Sequence, residues 1–582
     1  MKNDKKIEKA GITAKQEEFK MVVYHNRSAK LLVYTRKPDE NAYPSGLARS
    51  IHFAVSQDGH HFHALHNNYG ILFADATISE DDTIQPKGVK NPVVFPLSEG
   101  GFGIAAERVR EDGSVDETSC GKLLLWKTVD FIDFESMGLV EESSFEERKG
   151  KPFIRKTIVI RGETVSGCSI EIDMDLCNRI SQKWCPLHHV DTYLPQNLTV
   201  TSLQELETLC AVAVYSDGST AVKRVEWQKE QVDLSRPGIY QLNGTVWQRE
   251  YPFPLAQGYG DPVVFPWEGK WYFLGTNDNL NDIGIYVREA DTVEGLFAEG
   301  MKEHLILDVD EEKDFIQTFW APEFHIIGGE LYILLAIGGK VWGPQCYLMK
   351  FKSGGNIVDA NSWETPVKVL RKDGSPLASD GITLDMTYLL AGGHSYMVWS
   401  YRRHIGTPMD TGSMLYIAEV DESKPWQLTG EPVLLSRPLF GWENVSGTIN
   451  NEGPHAFVHN GKVYLAYSGG DARGYLYALG LMTAEENRDL TDVSVWKKSG
   501  APVLSFYSMK GVYGPGHNSF FVDEDGELMI AYHGETALES RICCDGIHRV
   551  HFDVDGEPRF DLSSEKDLNP ALCKVSIQVT VL

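Results

Sequence analysis

Five copies of one hydrophobic and polar pattern follow one another in the second half of the chain. Each copy has an apolar strand, a turn that contains glycine and a second strand rich in aromatic residues. The copies read DPVVFPWEGKWYFLG from Asp261, APEFHIIGGELYILLA from Ala321, DMTYLLAGGHSYMVWS from Asp385, GPHAFVHNGKVYLAYS from Gly453 and NSFFVDEDGELMIAYH from Asn518. Their first residues are 60, 64, 68 and 65 positions apart. This spacing predicts one four-stranded antiparallel sheet with long loops in each copy.

A repeat of this kind predicts sheets that stack on one another, because a single small sheet cannot bury both of its faces. Five such sheets fill most of the chain after residue 251, so the pattern predicts an all-β protein with a five-bladed β-propeller over residues 251–560. A ring of five blades is narrow, and equivalent positions in the blades point toward one central pocket. The ring therefore brings Asp261, Asp385 and Glu452 together, although they are distant in sequence.

The first 165 residues are also rich in short predicted strands, such as KMVVYH at residues 20–25. Turns that contain Asp-Gly separate these strands. The segment NPVVFPLSEGGFGIAAE from Asn91 repeats the start of the copy at Asp261 almost letter for letter. Residues 1–165 are therefore interpreted as an accessory domain with a degenerate blade. Asn91 stands where Asp261 stands, and an amide cannot accept a proton as a general base.

Residues 166–250 alternate apolar and polar positions with a period of two between turns such as SDG and RPG. This pattern predicts a small antiparallel β-sandwich. The sequence of this segment resembles the bacterial immunoglobulin-like modules that are often attached to carbohydrate-active enzymes. The chain closes with residues 561–582, which end in the strand ALCKVSIQVTVL. Which sheet this strand joins is left open by the sequence.

Composition limits the classes of partner. The 582 residues carry 55 Lys and Arg against 82 Asp and Glu, a net charge of −27 that repels nucleic acid and anionic membranes and suits neutral ligands such as sugars. The N-terminal residues carry charges throughout and lack the apolar run of a secretion signal, so a cytoplasmic location is expected. Nine cysteines, an odd number without CxxC spacing, predict reduced thiols.

The carboxylates that the ring gathers are typical of glycosidic-bond hydrolysis. One acid must protonate the leaving oxygen, and a second carboxylate must act on the opposite face of the sugar. A third anion nearby raises the pKa of the acid and keeps it protonated. Asp261, Asp385 and Glu452 form such a set, and we expect removal of one of these charges to leave stability unchanged or improved.

The motifs YGDPVVF, FWAPEFH, LDMTY, NEGPHAF and VYGPGHNSF resemble, in this order, those of glycoside hydrolase family 43. That family consists of five-bladed propeller enzymes that act on arabinofuranosides and xylosides. The resemblance implies that Asp261 is the general base, that Asp385 tunes the pKa and orientation of its neighbours, and that Glu452 is the general acid. It also implies inversion at the anomeric carbon.

The same resemblance suggests residues around the carboxylates. Trp320 is expected to form a wall of the sugar site, since an aromatic face suits the apolar face of a sugar ring. His517 matches a histidine on the ring axis that holds a calcium ion through water in several members, and a structural histidine is the alternative interpretation. Weaker candidates for sugar contacts are Asn277, Asp278, Trp442, His517 and Asn518.

These observations favour an exo-acting enzyme that releases terminal α-L-arabinofuranosyl residues from arabino-oligosaccharides or from arabinoxylan fragments. A β-D-xylosidase and an endo-arabinanase on the same scaffold are the close alternatives. A propeller that binds sugar without catalysis is disfavoured, because a binder does not need three carboxylates on one axis. The chain contains no nucleotide-binding fingerprint, so no organic cofactor is expected, and the expected partners are plant cell-wall oligosaccharides such as arabinan, arabinoxylan or xylan fragments.

Overall fold

The computed structural model of the chain describes residues 28–142, 155–195 and 197–582. The predicted strand KMVVYH lies outside these ranges. The described residues form an all-β protein, which confirms the predicted fold class. The longest helix among them has 11 residues, and none of their helices combines the length and the apolar character needed to cross a membrane.

The N-terminal unit consists of two packed sheets. One sheet has five strands in the order β10-β11-β1-β2-β3, the other has the four consecutive strands β6 to β9, and β4 pairs with β5. The strands are β1 (Ser28–Tyr34), β2 (His52–Ser56), β3 (His63–Ala64), β4 (Thr77–Ile78), β5 (Ile84–Gln85), β6 (Lys87–Pro96), β7 (Phe102–Arg110), β8 (Lys122–Thr128), β9 (Glu135–Glu141), β10 (Arg155–Ile160) and β11 (Glu163–Asp173). A short helix, α1 (Ser45–Ala48), precedes β2.

A second helix, α2 (Met174–Trp184), completes this unit. Asp173 caps it by accepting a hydrogen bond from the Leu176 amide at 2.7 Å, and the helix buries Cys177 and Ile180 in the core between the sheets. The boundary predicted after residue 165 lies inside β11, so that prediction is wrong. The unit continues to the end of α2, because β11 pairs with β1 in the centre of the five-stranded sheet.

The second module has six strands in the order β12-β14-β15-β16-β39-β13. Its elements are β12 (His189–Tyr193), β13 (Asn197–Val200), α3 (Leu203–Glu207), β14 (Ala211–Tyr215), β15 (Thr220–Trp227), β16 (Gly238–Trp247) and β39 (Lys574–Val581). Along β15 buried and exposed residues alternate, as the period-two pattern predicts. The closing strand β39 pairs antiparallel with β16 and parallel with β13, so the C-terminus of the chain completes this module.

Five four-stranded sheets follow and form the propeller. The first blade consists of β18 (Tyr259–Trp267), β19 (Lys270–Asn277), β20 (Ile285–Ala290) and β21 (His304–Leu307), and the second of β22 (Gln317–Ile327), β23 (Glu330–Gly338), β24 (Gln345–Lys350) and β25 (Val367–Lys368). The third blade consists of β26 (Gly381–Ala391), β27 (His394–Arg403), β28 (Met414–Glu419) and β29 (Val433–Ser436), and the fourth of β30 (Asn451–His459), β31 (Lys462–Gly469), β32 (Ala478–Glu485) and β33 (Lys497–Lys498). The fifth blade consists of β34 (Tyr513–Val522), β35 (Leu528–Glu535), β36 (Cys544–Arg549) and β17 (Ala256–Gln257). Because β17 precedes the first blade and pairs with β36 of the last, it closes the ring.

Three short elements link the last blade to β39. They are β37 (His551–Phe552), β38 (Pro558–Arg559) and α4 (Ser564–Asp567).

Each innermost strand of the propeller carries a β-bulge near its start. At the bulge one residue adopts a left-handed backbone conformation, and the five φ values are 56° at Asp261, 45° at Ala321, 53° at Asp385, 56° at Gly453 and 40° at His517. The sequence alignment placed the fifth of these positions at residue 518, one residue too late.

A β-bulge with one left-handed residue also occurs in the N-terminal unit. Asn91 has φ 54° at a bulge in β6, as the corresponding residues of the five blades have in their inner strands. The Asn91 side chain donates to Glu107 at 2.9 Å and the Asn91 backbone carbonyl accepts from Arg155 at 2.9 Å, so this position has structural partners.

The N-terminal unit rests on the propeller face where the inner strands begin. Tyr43 stacks on Tyr507 with ring centroids 5.8 Å apart and an interplanar angle of 10°. Asp82 accepts from Arg437 at 2.6 Å and also pairs with Arg403. Tyr507 and Arg437 lie in the loops that lead into β34 and β30, and Arg403 ends β27 opposite the start of β26. The unit therefore lies beside the pocket mouth above the third, fourth and fifth blades.

A buried ionic group joins the propeller to the immunoglobulin-like module. Arg549 of β36 binds both carboxylate oxygens of Asp567 at 2.6 and 2.7 Å, and Lys223 of β15 lies 3.9 Å from the same carboxylate. The side chains of Arg549 and Asp567 are 6% and 2% exposed. Removing one partner leaves a buried charge unpaired, which is expensive.

We therefore expect Asp567→Ala to lower the unfolding free energy by about 3–5 kcal/mol, measured by urea denaturation. The matched control is Glu207→Ala, which removes an exposed partner of Lys229 in the same module and is expected to change stability by less than about 1 kcal/mol. Equal effects of the two substitutions would contradict the assignment of Asp567 to the interface.

Candidate active site

The bulges place three carboxylates at one end of the propeller axis. Asp261 and Asp385 occupy the left-handed positions of β18 and β26, and Glu452 immediately precedes that position in β30. The Gly453 amide donates to Asp385 at 3.1 Å, which ties the backbone beside Glu452 to the third blade. Asp385 and Glu452 are only 3% and 9% exposed, so both groups are largely shielded from solvent.

Gly453 is required at its position for two reasons. Its φ of 56° favours glycine, and a Cβ atom there would lie 2.8 Å from Cγ of His517. The histidine ring therefore fills the space that a side chain at residue 453 would occupy. The Gly in the NEGPHAF motif lets the fourth and fifth blades approach each other at the axis.

Asp261 is held as an ionised carboxylate. Its Oδ1 lies 2.9 Å from Nδ1 of His517 and 3.5 Å from Nδ1 of His533, and its Oδ2 accepts a hydrogen bond from Thr276 at 2.5 Å. Burial raises the pKa of Asp261, but the two histidines outweigh it and hold that pKa well below its usual range. In the same way, burial lowers the pKa of His517, but the adjacent carboxylates outweigh it and raise that pKa to about 10.

Glu452 has the opposite environment. Burial and the neighbouring charge of Asp385 raise the pKa of Glu452 to about 7. Tyr477 donates to its Oε1 at 3.1 Å and Ser413 to its Oε2 at 3.3 Å, which fixes the carboxyl group. The site thus combines a carboxylate that stays ionised with a carboxylic acid that is protonated up to neutral pH.

The pocket rim is polar and aromatic. Trp320 is half-buried at the start of the second blade and donates from Nε1 to Asp282 at 2.9 Å. Arg473 reaches across from the fourth blade to Asp278 at 3.3 Å and to Asp282 at 3.9 Å. Burial raises the pKa of Asp282 to about 6. Trp320 and Asp278, two of the residues singled out in the sequence, therefore lie together at the rim.

Other sequence candidates are less accessible. Asn277 and Asn518 are 3% and 2% exposed, and each has side-chain polar atoms without a hydrogen-bond partner within the described part of the chain. Trp442 is fully buried, packs on Tyr467 and donates to the Gly500 carbonyl at 3.1 Å. The prediction that Trp442 contacts sugar is wrong, because a completely buried ring offers no face to a ligand.

Four residues of the site were not identified from the sequence: Tyr477, His533, Asp282 and Arg473. Three of them lie outside the five repeated copies, since Tyr477 immediately precedes the third strand of its blade and Asp282 and Arg473 lie in loops, whereas His533 is the last residue of the fifth copy. The only signal was position: Tyr477 immediately precedes β32, and His533 lies near the end of β35, both at the mouth side of their blades.

The donor set at His517 does not fit the calcium ion that the family resemblance implies. Calcium takes six to eight oxygen ligands. At His517, Nδ1 donates to Asp261, Oδ2 of Asp385 accepts from Ser400 and Gly453, and the buried ring atom that has no partner among the described residues is Nε2, a nitrogen. A nitrogen on a ring paired with carboxylates is a poor site for a hard cation, and no reaction step is assigned to calcium here.

The chain is similar to several known proteins. The family model for glycosyl hydrolases family 43 matches residues 255–558, and a model for a bacterial Ig-like domain (group 4) matches residues 211–248. An extracellular exo-alpha-(1->5)-L-arabinofuranosidase of Streptomyces avermitilis is 31% identical over 54% of this chain and 64% of its own length. The enzyme with the same description from Streptomyces chartreusis is 32% identical over 50% of this chain and 84% of its own length.

A crystal structure of an alpha-L-arabinofuranosidase from Lactobacillus brevis is 28% identical and covers 53% of this chain and 96% of that chain, with a TM-score of 0.47.

The comparisons correct one expectation from the sequence. Both Streptomyces relatives are extracellular enzymes, so the cytoplasmic location expected from the charged N-terminal residues is wrong. The match over residues 255–558 shows that the chain belongs to glycosyl hydrolases family 43.

Proposed function

We propose that the chain is an inverting, exo-acting hydrolase that removes terminal α-L-arabinofuranosyl residues from arabino-oligosaccharides or arabinoxylan fragments. The observation that carries the proposal is the contrast between Asp261, whose pKa is held low, and Glu452, whose pKa is raised to about 7, on facing blades of one pocket. The choice of an arabinofuranosyl substrate is supported by the two Streptomyces relatives.

The reaction needs two proton transfers. Asp261 accepts a proton from a water molecule as its oxygen attacks the anomeric carbon, and Glu452 donates a proton to the glycosidic oxygen as the bond from that oxygen to the anomeric carbon breaks. The products are the free sugar with inverted configuration and the shortened alcohol. Asp261 then carries the extra proton and Glu452 is ionised, so proton exchange with solvent restores both groups.

Asp385 is assigned a positioning role. It accepts from the Gly453 amide at 3.1 Å and from Ser400 at 3.0 Å, and burial together with the charge of Asp261 raises its own pKa. Its charge in turn raises the pKa of Glu452. Asp385 therefore acts through Glu452, since it orients the adjacent backbone and keeps the acid protonated.

Exo action is supported by the position of the N-terminal unit. Its contacts through Tyr43 and Asp82 lie on the mouth loops of the third to fifth blades. A long polysaccharide would need an open groove across the whole mouth to bind internally. A mouth with a domain against one side favours entry of a chain end.

We expect Asp261→Asn and Glu452→Gln each to reduce kcat/KM by about 10²–10⁴-fold, because each substitution removes a proton-transfer group. The assay is release of 4-nitrophenol from the 4-nitrophenyl α-L-arabinofuranoside, with the β-D-xyloside measured in parallel. Asp380→Asn, in an exposed position on a mouth loop, is the matched control and is expected to retain activity. Faster turnover of the xyloside, or full activity in both variants, would contradict the proposal.

The products from linear α-1,5-linked arabino-oligosaccharides separate exo from endo action. We expect arabinose as the first product from every chain length, and NMR of the early reaction is expected to show the inverted anomer. Early formation of arabinobiose and arabinotriose would instead assign endo action.

The pH dependence follows from Glu452. Because its protonated form is the active one, we expect kcat/KM to fall as pH rises through about 7. Tyr477→Phe removes a hydrogen bond that lowers the pKa of Glu452, so the alkaline limb is expected to move to higher pH. Asp385→Asn removes a charge that raises the pKa of Glu452, so the alkaline limb of the pH profile is expected to move to lower pH. Shifts in the same direction would contradict these roles.

The two catalytic substitutions are expected to have opposite effects on stability. The folded-state pKa of Glu452 lies above its unfolded value, so its charge destabilises the fold once pH exceeds about 4, and fully so above 7. Glu452→Gln is therefore expected to stabilise by about 1–3 kcal/mol at pH 8 and to have little effect at pH 4. The folded-state pKa of Asp261 is depressed, so Asp261→Asn is expected to destabilise at neutral pH, and this loss disappears in acid. The sequence-based expectation of unchanged or improved stability thus applies only to Glu452. Thermal unfolding at both pH values measures the difference.

A further inference from the structure

Three metal-ligand side chains meet inside the propeller, one step below the catalytic carboxylates. Glu323 and His325 belong to β22 of the second blade, and His455 belongs to β30 of the fourth. Glu323 lies two residues after Ala321, and His455 lies two residues after Gly453. Ala321 and Gly453 are the residues with left-handed backbone conformation in their strands. Because side chains alternate along a strand, these groups point toward the axis from two different blades.

The cluster is compact. Oε2 of Glu323 lies 2.7 Å from Nε2 of His325 and 3.9 Å from Nε2 of His455, and one ligand atom from each of the three residues lies within 4.8 Å of the others. The two imidazole rings are nearly parallel, with centroids 6.0 Å apart. Ligands that each lie about 2.0–2.2 Å from a tetrahedral ion are separated by roughly 3.3 Å, so the distances bracket the value that metal binding requires.

The cluster is also enclosed. The side chains of Glu323, His325 and His455 are 4%, 11% and 12% exposed. Glu323 and His325 satisfy each other by a hydrogen bond, but Nδ1 of His455 is buried and has no partner among the residues that the structure describes. The Glu323–His325 hydrogen bond accounts for these two residues, whereas Nε2 of His455, 3.9 Å from Oε2 of Glu323, is too far away for a hydrogen bond and near the separation of two ligands of one ion.

We propose that Glu323, His325 and His455 bind one divalent transition-metal ion of the zinc class. Two imidazoles and one carboxylate are a donor set that suits zinc, cobalt or nickel, whereas calcium and magnesium prefer oxygen ligands alone. Thr387 of the third blade lies beside the cluster, with its hydroxyl 3.4 Å from Nε2 of His325. This site uses none of the side chains around His517, and it joins the second blade to the fourth across the axis.

The test uses the full chain, purified without a polyhistidine tag and stripped with a chelator. Titration with Co²⁺ is expected to give the visible absorption bands of a four-coordinate nitrogen and oxygen site at one ion per chain. Addition of Zn²⁺ is expected to abolish these bands and to raise the unfolding temperature by a few degrees, because a ligand that binds only the folded state stabilises it. An excess of Ca²⁺ is expected to do neither.

Variants identify the ligands. His455→Ala and Glu323→Gln are each expected to lose the cobalt bands and the zinc-dependent rise in unfolding temperature; the second variant nearly preserves side-chain volume and so guards against loss of the fold. The matched control is His459→Ala, a half-buried histidine on the same strand that stacks on Phe552. Binding that persists in both cluster variants, binding that is lost in the control, preference for Ca²⁺, or absence of binding to the wild-type chain would overturn the proposal. Since no readout is enzymatic, the result is independent of the proposed activity.

Discussion

The site depends on a backbone constraint that recurs in every blade. One residue near the start of each inner strand adopts a left-handed conformation at a β-bulge, and four of these five residues are not glycine. Such a conformation destabilises a non-glycine residue by about 1–3 kcal/mol, so it persists only where the surrounding sheet enforces it. Here the bulge turns the side chains of Asp261, Asp385 and His517 toward the axis. Without it a regular strand would direct alternate side chains elsewhere, and the three groups would not meet.

The meeting of these groups has an electrostatic consequence. Two aspartates and one glutamate that faced each other without a cation would raise one another's pKa, and they would not all stay ionised near neutral pH. His517 resolves the conflict because it lies nearest to Asp261, 2.9 Å away, and stabilises that carboxylate selectively. Glu452 has hydroxyl groups and Asp385 as neighbours and remains protonated. One histidine therefore determines which carboxyl group acts as base and which as acid.

The N-terminal unit has a β-bulge like those of the propeller blades, but it has no catalytic carboxylate at that position. The N-terminal sheet repeats the bulge at Asn91, where the side-chain amide donates to Glu107 and accepts from Arg155. That unit lies against the mouth loops of three blades, and the immunoglobulin-like module contacts the last blade through Lys223, which lies beside the Arg549 and Asp567 pair. Both units thus pack against the outside of the propeller. The N-terminal unit lies at the pocket entrance, and the immunoglobulin-like module lies at the last blade, where the ring closes.

The sequence alone determined the number of blades and the three carboxylates, because the repeat records a local pattern of strands and turns that each blade forms from contiguous residues. It also identified Trp320 and Asp278, which stand beside the repeated motifs. It misplaced Trp442, because an aromatic residue in a loop gives no indication of whether the ring faces a ligand or a neighbouring domain. Only the tertiary structure decided the protonation of Asp261 and Glu452, the role of Tyr477, and the cluster formed by Glu323, His325 and His455. These properties depend on distances between side chains of different blades, and such distances are fixed by the closure of the ring rather than by any single stretch of sequence.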